Sequence, residues 1–180
     1  MEILFVRHGV PDYRLCDERQ MTQLEKDYAP LDRRYLDEIK ALSLNPEFQN
    51  SSVVIASPYT RALQTAELIN RELKLELFVE HDLREWRADL AGGYLDLQER
   101  DRRWHEYRQA LKSGEPITSH DYESAAELKR RTLDVLERYQ GYRKVIVVSH
   151  FNVLESLIGF QPQGIGCGQY YRFSLDDVRL

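Results

Sequence analysis

Only two cysteines occur in 180 residues, Cys16 and Cys167, and they share no C-x-x-C spacing. That scarcity excludes a disulfide scaffold and a cysteine-based metal or redox site, and it predicts two free thiols in a reducing compartment. Long apolar runs are missing as well. No stretch approaches the ~20 residues of a membrane span. The opening MEILFVRHG has an acid at position 2 and too short an apolar run for a signal peptide, so a soluble, cytoplasmic protein is the expectation. Positive charge is not in excess: the net charge is −5 and the pI is near 5.6. Neither nucleic acid nor a membrane surface is therefore expected as a partner of the whole chain. Repeats, low-complexity tracts and Gly/Ser linkers are also lacking, which predicts one domain over 1–180. The apolar fraction, 42%, suffices for a real core at this length.

What is present is an alternation of short β-rich runs with helical periods. Strands are predicted at Ile3–Val6, Ser52–Ala56, Leu75–Val79 and Val145–Val148, several of them continuous apolar runs suited to a parallel sheet covered on both faces. The final YYRFSL alternates like an edge strand. A helix is read from SPYTRALQTAELINREL, with Ser57 as N-cap, Pro58 in the first turn, and Ala62, Ala66, Ile69 and Leu73 at helical spacing. Ser124 and Glu127 stand in capping-box register at the head of another, and Leu31 to Leu42 forms a third. This pattern predicts an α/β layered sheet with helices on both faces.

In such a sheet, ligands bind where loops leave the carboxyl ends of the strands. LFVRHG ends its strand on Arg7 and His8, VIVVSH ends on His150, and VVIASP leads to Arg61 at the start of the next helix. Two imidazoles and two guanidiniums brought to one face suit an anion with several oxygens, phosphate above all. Neutral imidazole can attack phosphorus and form phosphohistidine. The departing alcohol then needs a carboxylic acid as proton donor, and Glu80, Asp82 and Glu85 in VEHDLREW are equal candidates by spacing.

LFVRHG, IASPYTRALQTAELI, DLREW and VIVVSHFNVLESLIG, in that order from residue 3 to about 160, together resemble the histidine phosphatase superfamily, also called phosphoglycerate mutase-like. R-H-G alone is common; followed by S-P-x-x-R-A-x-x-T-A, L-x-E and S-H it is specific. The resemblance implies a three-layer α/β/α sandwich, a mainly parallel sheet of about six strands with one antiparallel edge strand. It makes His8 the nucleophile and Glu85 the acid, with Arg7, Arg61 and His150 holding the phosphoryl group. Glu80 and Asp82 become bystanders, and a lid-like insertion is placed around 86–122. No metal or cofactor is called for, because fixed cations offset the developing charge.

Departures from the family pattern bear on substrate preference. Val10 and Pro11 replace a Glu-Thr pair, and PLDRRYLDEI lacks a glycine. Phe151 and Asn152 follow His150, where a glycine is usual. Arg14 stands in place of a phosphate-contacting Asn; it is assigned to the phosphate site, the alternative being a side chain turned to solvent. His81, His105 and His120 are expected at the surface. Among the charge-rich residues 98–109, one or two of Arg100, Arg102, Arg103 and Arg108 are expected to reach the substrate. The expected function is a phosphatase for a small phosphorylated metabolite. The alternatives are a mutase, whose additional signature REWRADLAGGYLDL does not carry, and an inactive phospho-ligand or protein-binding module. The sequence carries no signal of oligomeric state.

Overall fold

In chain order the elements are β1 (Glu2–Arg7), α1 (Gln23–Asp27), α2 (Leu36–Leu42), β2 (Val53–Ala56), α3 (Thr60–Leu73), β3 (Glu76–Val79), α4 (Leu97–Ser113), α5 (Ala125–Arg138), β4 (Lys144–Ser149), α6 (Phe151–Ile158), β5 (Tyr170–Ser174) and α7 (Leu175–Val178). The computed structural model describes residues 1–16, 18–116 and 121–179, so His120 lies outside the described residues. The pleat explains the continuous apolar runs. Ile3 and Phe5 of β1, Val53 and Ile55 of β2, and Val145 and Val147 of β4 enter one apolar cluster. Their alternating neighbours Leu4, Val6, Val54, Ala56, Ile146 and Val148 enter the other. Successive side chains of a strand point to opposite faces, so a strand covered on both faces must be apolar throughout.

Ile39 of α2 and Ala62, Ala66, Leu68 and Ile69 of α3 cover one face. Leu128, Val135 and Leu136 of α5 and Val153, Leu154 and Leu157 of α6 cover the other, beside Tyr107 of α4. The result is a three-layer sandwich. Each fully buried side chain of Leu or Ile size contributes roughly 1.5–3 kcal/mol. A dozen large side chains are buried in this way, among them Phe5, Phe48, Ile55, Leu128 and Tyr107.

The sheet has five strands among the described residues, in the order β3-β2-β4-β1-β5, not about six. All pairings are parallel except β1 with β5. YYRFSL does form the antiparallel edge strand. Leu77 and Val79 of β3, at the opposite edge, are exposed, because the edge strand lacks a covering neighbour. The Ser124–Glu127 capping box is present. Ser57 is not an N-cap: α3 starts at Thr60 after Tyr59, and the Ser57 hydroxyl is engaged elsewhere. Leu31 precedes the third helix, which begins as one 3-10 turn, Arg33–Tyr35, capped by Asp32. Among the described residues no helix is long and apolar enough to cross a membrane.

Candidate active site

Strand register assembles the site. Arg7 pairs with Ser149 across β1 and β4, so His8 and His150, one residue beyond each, become neighbours with ring centroids 5.1 Å apart. The His8 amide donates to the Ser149 carbonyl at 3.0 Å, and the Ser57 amide donates to Val148 at 2.9 Å. That second bond brings the β2–α3 turn alongside. The spacing of S-P-x-x-R-A-x-x-T-A then has a physical reading. The Ser57 hydroxyl lies 2.7 Å from His150 Nε2. Arg61, one turn into the helical segment, reaches both imidazoles. Thr65, a turn later, accepts from the Gly9 amide at 2.9 Å. Ala62 and Ala66 are fully buried, which lets α3 lie close on the sheet. Gly9 is closely approached: a Cβ there would stand 3.0 to 3.2 Å from Ile39 and Leu31 side-chain atoms, which would have to give by a few tenths of an ångström.

The partners fix the His8 tautomer. Nδ1 sits 2.7 Å from the Gly9 carbonyl, which only accepts, so Nδ1 carries the hydrogen. Nε2 is left with its lone pair, which accepts from Arg61 Nε at 3.2 Å. Burial holds the His8 pKa well below its ordinary value, and the Arg61 charge and then Arg7 push the same way, against the Gly9 carbonyl. His150 is likewise held neutral by burial, then by Arg61 and His8. An uncharged imidazole with a bare Nε2 beside a guanidinium is a nucleophile aimed at an anion's central atom.

Arg7 and Arg61 keep unspent hydrogen-bonding capacity. Arg7 Nη1 donates to the Ile165 carbonyl at 2.6 Å, while Arg7 Nε and Arg61 Nη1 are buried without a partner among the described residues. An unsatisfied buried donor costs about 1–3 kcal/mol. Both arginines line a cleft of about 380 Å³ together with His8, Glu85, Tyr13, Trp104 and Asn152. Two guanidiniums lining one cleft suit an oxyanion there. His150 is fully buried and stands behind Arg61.

Glu85 follows the 3-10 turn His81–Leu83. The Ser149 hydroxyl donates to the Leu83 carbonyl at 2.7 Å, and Arg131 of α5 donates to the carbonyls of Arg84 at 2.8 Å and Glu85 at 3.1 Å. These bonds tie Glu85 to the same strand end that carries His150. Burial raises the Glu85 pKa, against donation from the Trp86 amide, the charges of Arg61 and Arg7, and the Asn152 amide. Of the three candidate acids only Glu85 lines the cleft. Glu80 accepts from Arg138 and from the Tyr139 hydroxyl, both at 2.6 Å. Asp82 accepts from Arg84 at 2.6 Å.

Arg14 is not brought into the cleft. Its guanidinium pairs with Asp12 at 2.6 Å and its side chain is 77% exposed. Val10 and Pro11 lead into an isolated bridge between Pro11 and Leu31, and although Tyr13 and Cys16 on either side line the cleft, the Arg14 side chain turns away to Asp12. Replacing Arg14 with alanine is expected to leave KM and kcat for a phosphomonoester near wild type, since an exposed pair contributes only about 0–1 kcal/mol. Steady-state kinetics checks this, and a large rise in KM would return Arg14 to the phosphate site.

Of the four arginines named on α4, only Arg100 lines the cleft. Arg102 binds Glu99 and Glu106, Arg103 binds Glu99 and Asp89, and Arg108 binds Glu155 at 2.7 Å. Sequence reasoning missed Tyr13, Lys26, Arg131 and the pairing of Trp104 with Asn152. Of these only Asn152 falls in a motif, where it reads as a departure, and the chain's path brings the others to the site. His81 and His105 are exposed, as expected.

An α/β sandwich that gathers two neutral imidazoles, two guanidiniums and a buried carboxyl at the carboxyl ends of its strands defines an oxyanion-handling protein. The chain belongs to the histidine phosphatase superfamily (branch 1), whose family model matches residues 3–180. Among solved structures it is similar to a mycobacterial glucosyl-3-phosphoglycerate phosphatase, at 18% identity and a TM-score of 0.72, over 95% of this chain and 88% of that one. It is also similar to a putative alpha-ribazole-5'-P phosphatase from Escherichia coli, at 19% identity and 0.63, over 96% and 89%. A third similar structure, from Thermus thermophilus, has 19% identity and 0.67, over 97% and 94%. At such identities these likenesses establish the fold. No curated protein matched the sequence.

Proposed function

We propose that the protein is a phosphatase that hydrolyses a small phosphomonoester through a phosphohistidine on His8, with Glu85 as proton donor. The observation that carries this reading is the unprotonated Nε2 of His8, a cleft-lining residue, whose lone pair accepts from Arg61 Nε. Nε2 attacks phosphorus and the bond from phosphorus to the ester oxygen breaks. Glu85 gives its proton to that oxygen as it leaves. Water then attacks the phosphoryl group, the bond from phosphorus to Nε2 breaks, and the Glu85 carboxylate takes the water's proton. Arg7 and Arg61 hold the equatorial oxygens throughout. His150 supports Arg61 from behind, with Nδ1 3.5 Å from Arg61 Nη2. The cleft suits a small phosphorylated metabolite.

Turnover of p-nitrophenyl phosphate in EDTA is the first test, and its absence would favour a binding module. The second is Glu85→Gln. An alkyl leaving group needs the proton and p-nitrophenolate barely does. Turnover of an alkyl phosphate should therefore fall by about 10²–10⁴, and that of p-nitrophenyl phosphate far less. Equal losses on both esters would move the acid role away from Glu85.

A further inference from the structure

The lid helix α4 is fastened to α6 by two ties one helical turn apart. Trp104 Nε1 donates to Asn152 Oδ1 at 3.1 Å. Arg108 donates to the fully buried Glu155 at 2.7 Å and to the Gln161 carbonyl at 3.0 Å. Trp104 and Arg108 are four residues apart on α4, and Asn152 and Glu155 three apart on α6. Both pairs therefore face each other across one seam. The second tie anchors the seam. The first leads into the cleft, which Trp104, Asn152 and Glu85 all line.

An indole N–H can only donate, so the Asn152 amide must present its oxygen to Trp104. Its NH₂ group is thereby turned the other way, in the cleft that Glu85 shares, and the Asn152 side chain is among the groups that lower the Glu85 pKa. The Trp86 amide donates to the Glu85 carboxyl, at 2.8 Å from Oε1. Neither donor has a lone pair to receive a hydrogen bond. A proton on Glu85 pointing at either would meet another hydrogen. It is left the remaining direction, into the cleft.

We propose that Asn152 is a positioning residue for proton transfer: oriented by Trp104 of the docked lid helix, its amide keeps the Glu85 proton aimed at the substrate's leaving oxygen. This inference rests on the reading of Glu85 as proton donor. The charged and titratable groups near that carboxyl are Arg7 of β1 and Arg61 of α3. Tyr13, Tyr59 and Tyr107 stand further around it.

The test compares Trp104→Phe, which keeps an aromatic ring and loses the N–H, with Asn152→Ala and Glu85→Gln. Binding of orthovanadate to each variant serves as the control for folding and for the anion site. Both positioning variants should bind vanadate like wild type and lose about 10-fold in kcat on an alkyl phosphate, with little loss on p-nitrophenyl phosphate. The alkaline limb of the alkyl kcat profile should move to higher pH. A carboxylate that loses a donor, or faces an amide oxygen, holds its proton more tightly. If Glu85→Gln separates the two esters while Trp104→Phe and Asn152→Ala lower both alike with an unmoved alkaline limb, the two residues serve only packing and the inference is wrong. Loss of vanadate binding in both variants would overturn it as well, by placing their role in the anion site. If Glu85→Gln fails to separate the esters, the acid assignment falls and takes this inference with it.

Discussion

Replacing His8 with alanine is expected to abolish both turnover and covalent labelling. The ring is nearly buried, at 4% exposure, and it offers the cleft one uncharged, sp² lone pair on Nε2. No other described residue supplies an equivalent atom there: His150 stands behind Arg61 with its own Nε2 on the Ser57 hydroxyl. The loss should therefore be about 10⁴-fold or more, the scale seen when a catalytic nucleophile is removed. Brief reaction of wild type with a labelled phosphodonor should give an acid-labile, base-stable adduct. Since the Gly9 carbonyl occupies Nδ1–H, the phosphoryl group should sit on Nε2, which nuclear magnetic resonance of the adduct can distinguish. His8→Ala that still labels would remove the nucleophile assignment. The pH profile follows with its sign. Burial and Arg61 depress the His8 pKa, so the imidazole stays neutral as pH falls past the ~6.5 of a free side chain. The acidic limb of kcat/KM, corrected for substrate ionisation, should accordingly lie below that value.

Arg61→Ala is the second large effect. Arg61 Nε lies 3.2 Å from His8 Nε2, Nη2 lies 3.5 Å from His150 Nδ1, and Nη1 has no partner. Charge builds on the phosphoryl oxygens as the transition state forms, and a fixed fork in a water-poor cleft stabilises it there more than in the ground state. Losing that fork should cost about 3–4 kcal/mol, or two to three orders of magnitude in kcat. Arg61→Lys should recover little, because an ammonium is a single point charge without a planar pair of donors. The fold should survive, since removing a buried cation also removes its desolvation cost. Thermal unfolding checks the fold and stopped-time assays check the rate. A lysine variant at wild-type rate would show that charge alone, without the fork, is enough.

Most of the fold was legible because it rests on periodicity. Apolar runs marked β1, β2 and β4, and Ser124 with Glu127 marked the start of α5, since pleat and helical turn are short-range geometry. Ser57 misled for an instructive reason. A serine before a proline and a helical pattern reads as a cap, but its hydroxyl takes a tertiary partner, His150, that lies 93 residues away in sequence. The strand count fell one short of expectation, and Arg14 was assigned to the phosphate site although it turns to solvent. Its slot in the motif is one of sequence, while in space Asp12 holds its guanidinium at the surface. Glu80, Asp82 and Glu85 could not be separated by spacing. Tertiary partners separate them, since Arg138, Tyr139 and Arg84 occupy the first two.

The sequence by itself determined the layers, the strand ends, and the residues that meet there: Arg7, His8, Arg61 and His150, with a carboxyl from among Glu80, Asp82 and Glu85. These follow from local rules, in which each residue's neighbours in the chain decide its conformation. Only the tertiary structure decided which nitrogen of His8 is bare, which carboxyl enters the cleft and which lid residue touches it. Those properties depend on hydrogen-bond partners and burial supplied from distant segments: Gly9 passing beneath Ile39, Arg131 holding the carbonyls around Glu85, and Trp104 turning the amide of Asn152. Hydrogen-bond direction and desolvation act over a few ångströms in space, whatever the separation along the chain.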